Sequence, residues 1–334
     1  MKTSLSFPIL RLLEIPGIGP AKVTAILDFA RKENVDVTTL LENPKEIKRI
    51  LSEKQIEELS GNIDRTSSIY EKLGKKGVNL ITKTEANYPE KLKTFLGKKT
   101  PPLLTLLGNA TLLEKVSVGF CGSRKASEKG LITAADCADQ LARQDINIVS
   151  GYAAGVDMAA HRAALECGGT TVLVLCEGIL NFNIKKEFKH IWDWERIAVV
   201  SEFLPGIPWS VRNAMQRNKT ICALSRAMIL IESGTKGGSI EAGRASLEMG
   251  VPLFAPVYEG IPDSAIGNQE LLKKGARPLL KNRSTHRANM KDVFSFVLNS
   301  DILKPDIPEL YPKVDSAPSQ LVLFERNRND YRKK

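Results

Sequence analysis

INIVSGYAAGVDMAAHRAALECGGTTVLVL, running from Ile146 to Leu175, is the stretch from which the fold can be read. A strand-like run over 146–149 is followed by a turn carrying Gly151 and Gly155, a helix-like stretch over 157–167, the pair Gly168-Gly169 and a second apolar run over 171–175. That order is a strand–helix–strand unit with glycine at the exit of its first strand. On its N-terminal side stand an apolar run at 116–121 and a helix-like stretch at 126–144. On its C-terminal side come strands at 197–200, 227–231 and 252–257, separated by helices at 211–225 and 239–249. Strands alternating with helices predict an α/β fold: a Rossmann-like, mainly parallel sheet with helices on both faces.

Beyond this region the patterning changes. Residues 1–85 carry apolar positions at three- and four-residue spacing, in Leu10 to Ile26 and again in Ile47 to Leu59, and predict a small all-helical domain. Pro89, Gly97 and Pro101-Pro102 interrupt the segment from Tyr88 to Leu107 as a connector would. The expected organisation is a helical domain over 1–85, the α/β domain over 86–285 and a short basic extension over 286–334. That extension has one amphipathic stretch near Val293 to Leu303, then a polar segment, expected to be disordered, that ends in Arg326, Arg328, Arg332, Lys333 and Lys334.

Among 334 residues, 48 Lys and Arg stand against 38 Asp and Glu, a formal charge of +10 that favours a polyanionic partner. Cys121, Cys137, Cys167, Cys176 and Cys222 form no CxxC pair and lie in or beside apolar segments, as reduced core thiols do. The N-terminus lacks the basic-then-apolar pattern of a signal peptide, and no stretch is apolar for long enough to span a membrane. The expected location is the cytoplasm, with no membrane contact.

In an open α/β sheet, ligands sit beyond the carboxyl ends of the strands. Four glycine turns fall at such positions: Gly122-Ser123-Arg124, Ser150 to Gly155, Gly234 to Ser239, and Gly267-Asn268. Glycine lets a backbone approach phosphate, a helix N-terminus offers free N–H groups, and arginine meets phosphate with two hydrogen bonds. Arg217-Asn218-Lys219, with Arg212, Asn213 and Gln216 just before it, adds a segment rich in phosphate donors.

With these residues in view, the chain from Tyr88 to Pro278 resembles the DNA-processing protein A (DprA/Smf) family. The matching pieces are GSRKAS from Gly122, SGYAAGVDMAAHRAALECGGTTVLVL from Ser150, SEFLPG from Ser201, QRNKTICALSRAMILIES from Gln216, GGSIEAGRASLEMG from Gly237 and GNQELLKKGA from Gly267. The resemblance implies a single-stranded DNA-binding protein, not an enzyme. Such a protein protects incoming strands and helps load a RecA-type recombinase in transformation or recombination, and it acts as a homodimer. It implies DNA contact at Gly122, Ser123, Arg124 and Lys125, at Gly151 and Gly155, at Arg217, Asn218 and Lys219, at Gly238 and Ser239, and at Asn268. Two departures stand out: Ala154 occupies a place where the family usually has Arg or Lys, and Glu241 puts a carboxylate in the helix opening that follows Gly238. Leu13 to Lys22 resembles a helix-hairpin-helix, which implies secondary DNA contacts at Gly17, Gly19 and Lys22.

Enzyme chemistry is poorly served by the sequence. His161, His190 and His286 have no spacing that suggests a metal site or a nucleophile triad, so His161 reads as a helix-packed structural residue, and no catalytic residue, metal or cofactor is expected. The alternative is a nucleotide-binding or N-glycoside-cleaving relative of the lysine-decarboxylase-like phosphoribohydrolases, with a place in anti-phage defence and with Asp157 and Glu241 near one pocket. Its carboxylate falls one position early for that motif. GxGxxG is missing from the first turn, which argues against hydride transfer.

Overall fold

A computed structural model describes residues 4–258, 260 and 262–298. Five helices lead: α1 (Ser6–Leu13), α2 (Pro20–Lys32), α3 (Val37–Glu42), α4 (Glu53–Gly61) and α5 (Ile63–Lys75). Their three- and four-residue apolar spacing buries Ile9, Leu12, Val23, Ile26, Leu40 and Leu59 in a shared core. Local chemistry sets the boundaries. Pro20 opens α2 at the first helical position, and Ser52 and Gln55 form a reciprocal capping box at α4.

Among the described residues one sheet has nine strands: β1 (Asn79–Thr82), β2 (Leu103–Gly108), β3 (Ser117–Cys121), β4 (Asn147–Ser150), β5 (Thr171–Val174), β6 (Ile197–Ser201), β7 (Ala227–Leu230), β8 (Leu253–Pro256) and β9 (Arg277–Leu279). Their order is β1-β2-β6-β5-β4-β3-β7-β8-β9. Every pair from β6 to β9 is parallel, while β1 with β2 and β2 with β6 are antiparallel. The connections run through α6 (Glu90–Leu96), α7 (Glu128–Ala142), α8 (Val156–Glu166), α9 (Val211–Leu224), α10 (Gly238–Glu248) and α11 (Ile266–Lys273), and α12 (Lys291–Leu298) follows β9. The Rossmann-like α/β fold read from the sequence is the fold observed.

Successive strand residues point to opposite faces, and both faces are buried. Val118, Phe120, Ile148 and Ile229 pack under α7, α8 and α12, whereas Cys121, Val149, Met228 and Leu230 pack under α6, α9, α10 and α11. The N-terminal helices cover Leu173, Ile197 and Val199 together with Met158 and Leu165 of α8. From β3 the chain first moves outward through β4, β5 and β6, then crosses back to β7 on the other side. This reversal opens a crevice at the carboxyl ends of the central strands.

Three expectations need correcting. The segment 88–107, expected to be a connector, supplies α6 and most of β2. Its prolines end just before β2, and that strand's partners, β1 and β6, lie far away in sequence (Thr105 faces Ser201), so the local pattern could not show them. The region 1–85 is not wholly helical, since β1 joins the sheet. Gly267-Asn268 is not a loop but the first turn of α11. Of the C-terminal extension, α12 overlaps the first part of the stretch read as amphipathic, and residues 299–334 lie outside the described residues.

Candidate nucleic-acid interface

The turn after β3 is pinned at both ends by Glu232, which follows β7. The Ser123 N–H donates to the Glu232 carbonyl (2.7 Å). Ser127, the N-cap of α7, donates its N–H and hydroxyl to the fully buried Glu232 carboxylate (2.8 and 2.5 Å), and the Ser264 hydroxyl adds a third bond (2.7 Å). Between these anchors Arg124 and Lys125 stand exposed.

The turn after β4 presses against the first. Gly155 has φ +82°, and a Cβ there would lie 2.4 Å from the Ser123 carbonyl oxygen, so only glycine fits. Asp157 in the first turn of α8 accepts from the Ala153 N–H (3.2 Å) and lies 3.9 Å from the Arg217 guanidinium. A Cβ on Gly151 would overlap that same guanidinium. Beneath the turn, His161 is fully buried with Nε2 2.5 Å from the Gly151 carbonyl and Nδ1 2.6 Å from the Thr171 hydroxyl. Burial pushes its pKa down to about 4. The ring is therefore neutral near pH 7, and because a carbonyl can only accept, the proton sits on Nε2. His161 braces the glycine turn, in keeping with the structural role read for it.

Arg217 reaches from α9 across these turns. It is only 6% exposed, and its Nε has no hydrogen-bond partner. It faces a cavity of about 520 Å³ whose lining also includes Arg124, Lys185, Tyr152, Phe182 and Trp209. Lys185 Nζ donates to the Tyr152 carbonyl (2.8 Å) and sits 4.3 Å from the centre of its ring; burial lowers the lysine's pKa. Arg124 lies 5.5 Å from the centre of the Trp209 ring, which remains 47% exposed. Burial raises the pKa of the Cys176 thiol on the same lining, and the neighbouring Arg217 charge opposes that rise.

The remaining residues expected to contact DNA divide into three groups. Asn218 donates to the Gly238 carbonyl (3.0 Å), which joins α9 to the start of α10, where Gly238 is exposed and Ser239 half-buried. Lys219 is exposed on α9 but does not line the cavity. Asn268 is 3% exposed and fully engaged: its Oδ1 accepts from the Ser233 N–H (3.0 Å), and its Nδ2 donates to the carbonyls of Ile231 (2.9 Å) and Pro256 (3.4 Å). Gly267 permits a similar closeness, since a Cβ would lie 2.2 Å from the Gly234 carbonyl oxygen. These two residues hold the turn after β7.

Of the two departures, Ala154 is exposed at the cavity's edge. Glu241 is not in the cavity: it accepts from Arg244 (2.6 Å) on the flank of α10 and does not share a pocket with Asp157. In the N-terminal hairpin, Gly17 has φ +77° and Gly19 caps α2. Lys22 donates to Gln55 (2.8 Å), which in turn donates to the Pro16 carbonyl (2.9 Å). None of these three lines the cavity. Sequence reasoning overlooked Lys185, Trp209 and Glu232. Only Trp209 left a usable signal, an aromatic residue just ahead of an arginine-rich helix. Among the described residues there is no His, Cys, Asp or Glu cluster that could hold a metal, and no helix is long and apolar enough to cross a membrane.

The family model for DNA recombination-mediator protein A matches residues 79–289. This chain belongs to that family. It is 33% identical over 182 residues to DNA processing protein DprA of Streptococcus pneumoniae, covering 53% of this chain and 63% of that protein. It is 31% identical over 179 residues to protein Smf of Escherichia coli K12, covering 53% of this chain and 48% of that protein. The chain thus spans about half to two thirds of the length of these curated relatives. The X-ray structure of DprA from Streptococcus pneumoniae superposes with a TM-score of 0.69 at 25% identity, covering 84% of this chain and 95% of that one. DNA processing protein A from Helicobacter pylori, described for its single-stranded DNA binding mode, shares the fold, with a TM-score of 0.55 at 23% identity over 66% of this chain and 95% of that one.

Proposed function

We propose that this chain binds single-stranded DNA along the carboxyl rim of its parallel sheet and acts as a recombination mediator rather than an enzyme. The observation that carries this reading is the convergence of Arg124, Arg217 and two glycine turns on one cavity. Guanidinium groups supply charge for phosphate, the turns let a backbone come close, and the aromatic walls suit bases. Gly122, Ser123, Lys125, Gly238 and Ser239 extend the track on either side, and Lys219 adds charge at its edge. Asn218 and Asn268 act by holding the turns. The described binding of the Helicobacter pylori protein supports this choice of ligand.

Family membership supports a further part of this reading: a cytoplasmic homodimer that protects strands and helps load a RecA-type recombinase. The N-glycoside-cleaving alternative loses its pair of carboxylates, because Glu241 is bound to Arg244 outside the cavity. Fluorescence polarisation with labelled single strands across a salt series tests the reading. Four cations at phosphate (Arg124, Lys125, Arg217 and Lys219) predict a log–log slope near –3, at about 0.7 counterions per contact on a single strand. Absent or salt-independent binding would overturn it.

A further inference from the structure

The way α9 is held decides where its Arg217 guanidinium stands. The front of the helix is loosely packed: Val211, Arg212, Met215 and Gln216 are exposed, and the run of buried residues begins only at Arg217. The guanidinium is not itself tied by an ion pair at hydrogen-bonding distance, since Asp157 lies 3.9 Å away, and its Nε has no partner. Glu202, just beyond the carboxyl end of β6, grips the helix at this point. Its Oε1 accepts from the Thr220 hydroxyl (2.6 Å) and its Oε2 from the Gln216 amide (2.8 Å). Residues four apart share one face of a helix, so two bonds to one carboxylate fix both the height and the rotation of the turn that holds Arg217.

The grip has a rigid base. The Ser201 hydroxyl accepts from the Phe203 N–H (3.1 Å) and donates to the Glu177 carbonyl (2.7 Å), while the Ser201 carbonyl accepts from the Thr105 hydroxyl (3.2 Å). Burial raises the pKa of Glu202, and the bonds from Thr220 and Gln216 and the Arg217 charge oppose that rise. Glu202 does not line the cavity. By charge alone a carboxylate close to Arg217 weakens the pull on a polyanion, so any benefit it brings is geometric. Building on the single-strand reading, we propose that Glu202 is a positioning residue for DNA binding, which touches no strand and, by clamping Gln216 and Thr220, sets Arg217 at the rim.

The test is a double-mutant cycle read by polarisation with labelled oligo-dT, with folding of each variant checked by its urea midpoint. Glu202→Leu removes the charge and both bonds. It is expected to weaken binding about tenfold and to flatten the log–log salt slope by about 0.7, one phosphate contact, as Arg217→Ala does. In a protein that already carries Arg217→Ala, E202L changes affinity by less than about twofold. Glu202→Gln keeps the clamp, because its carbonyl accepts from Thr220 and its amide donates to Gln216 once that side-chain amide turns over. It binds at least as tightly as the unmodified protein. Thr220→Val leaves the charge in place and removes one bond; it weakens binding about threefold, again only where Arg217 is present, and keeps the cycle open should E202L fail to fold.

Tighter binding by E202L and E202Q alike would mean that Glu202 acts only through its charge, and would overturn the inference. Equal losses for E202L with and without Arg217 would do the same. In either case salt-dependent binding by the unmodified protein leaves the single-strand reading standing. If that protein binds no strand at any salt concentration, the reading fails, and the clamp on Arg217 has no part in binding.

Discussion

The turn 16–19 between α1 and α2 and the turn 151–155 between β4 and α8 both place a glycine of positive φ ahead of a helix, Gly17 at +77° and Gly155 at +82°. Both are candidates for DNA contact on sequence grounds, yet they have different surroundings. In the hairpin, Lys22 is bonded to Gln55, which also holds the Pro16 carbonyl, so the cation is already engaged in keeping the turn in shape. At the strand rim, Asp157 and His161 hold the turn from below, and this leaves Arg124 exposed and the Nε of Arg217 unpartnered at the cavity. The rim turn is thus held mainly by groups other than its exposed cation, and this makes it the better candidate for binding.

Backbone substitution breaks that comparison most sharply. Gly155→Ala combines a strained φ with a Cβ 2.4 Å from a main-chain oxygen, and we expect a stability loss above about 3 kcal/mol in urea unfolding. Gly17→Ala meets only the end of the Gln55 side chain, at 3.2 Å, and the expected loss is about 1 kcal/mol. Equal losses would show that the two turns are packed alike.

Acid should loosen the rim. An unfolded histidine titrates near its ordinary 6.5 and His161 in the fold at about 4, so the folded state disfavours the proton. The corresponding stability is complete above pH 6.5 and drains away as the pH falls towards 4, by at most about 3 kcal/mol. His161→Gln should flatten this part of the pH–stability curve, and an unchanged curve would mean that another group is responsible.

Binding separates the regions next. Arg217→Ala is expected to weaken strand binding by about 1 to 3 kcal/mol whatever the sequence, and Arg124→Ala, an exposed cation, by about 1 kcal/mol. Unchanged affinity in both would put the DNA on another face. The smallest effect is expected for Lys22→Ala, under about 0.5 kcal/mol in the same assay. A loss there as large as that of Arg217→Ala would make the hairpin a primary site.

Some of this was legible in the residues. The run Ile146 to Leu175 announced a strand, a glycine turn and a helix, and GSRKAS and QRNK marked the cations that meet at the cavity. Other parts were hidden. β2 looked like a connector because its partners β1 and β6 lie elsewhere in the chain. Asn268 looked like a ligand contact, whereas three main-chain groups consume its side chain. Lys185 and Trp209 occupy stretches without periodicity, and only folding brings them beside Arg124 and Tyr152.

The sequence by itself determined the order of strands and helices, the positions of the glycine turns and the excess of positive charge, because these follow from short-range periodicity, backbone freedom and counting. Tertiary structure alone decided which polar groups remain available to a ligand. That depends on partners contributed by distant parts of the chain: Glu232 for the turn after β3, Ser233 and Ile231 for Asn268, and Gln55 for Lys22. A hydrogen bond made inside the fold is one that is no longer offered to DNA.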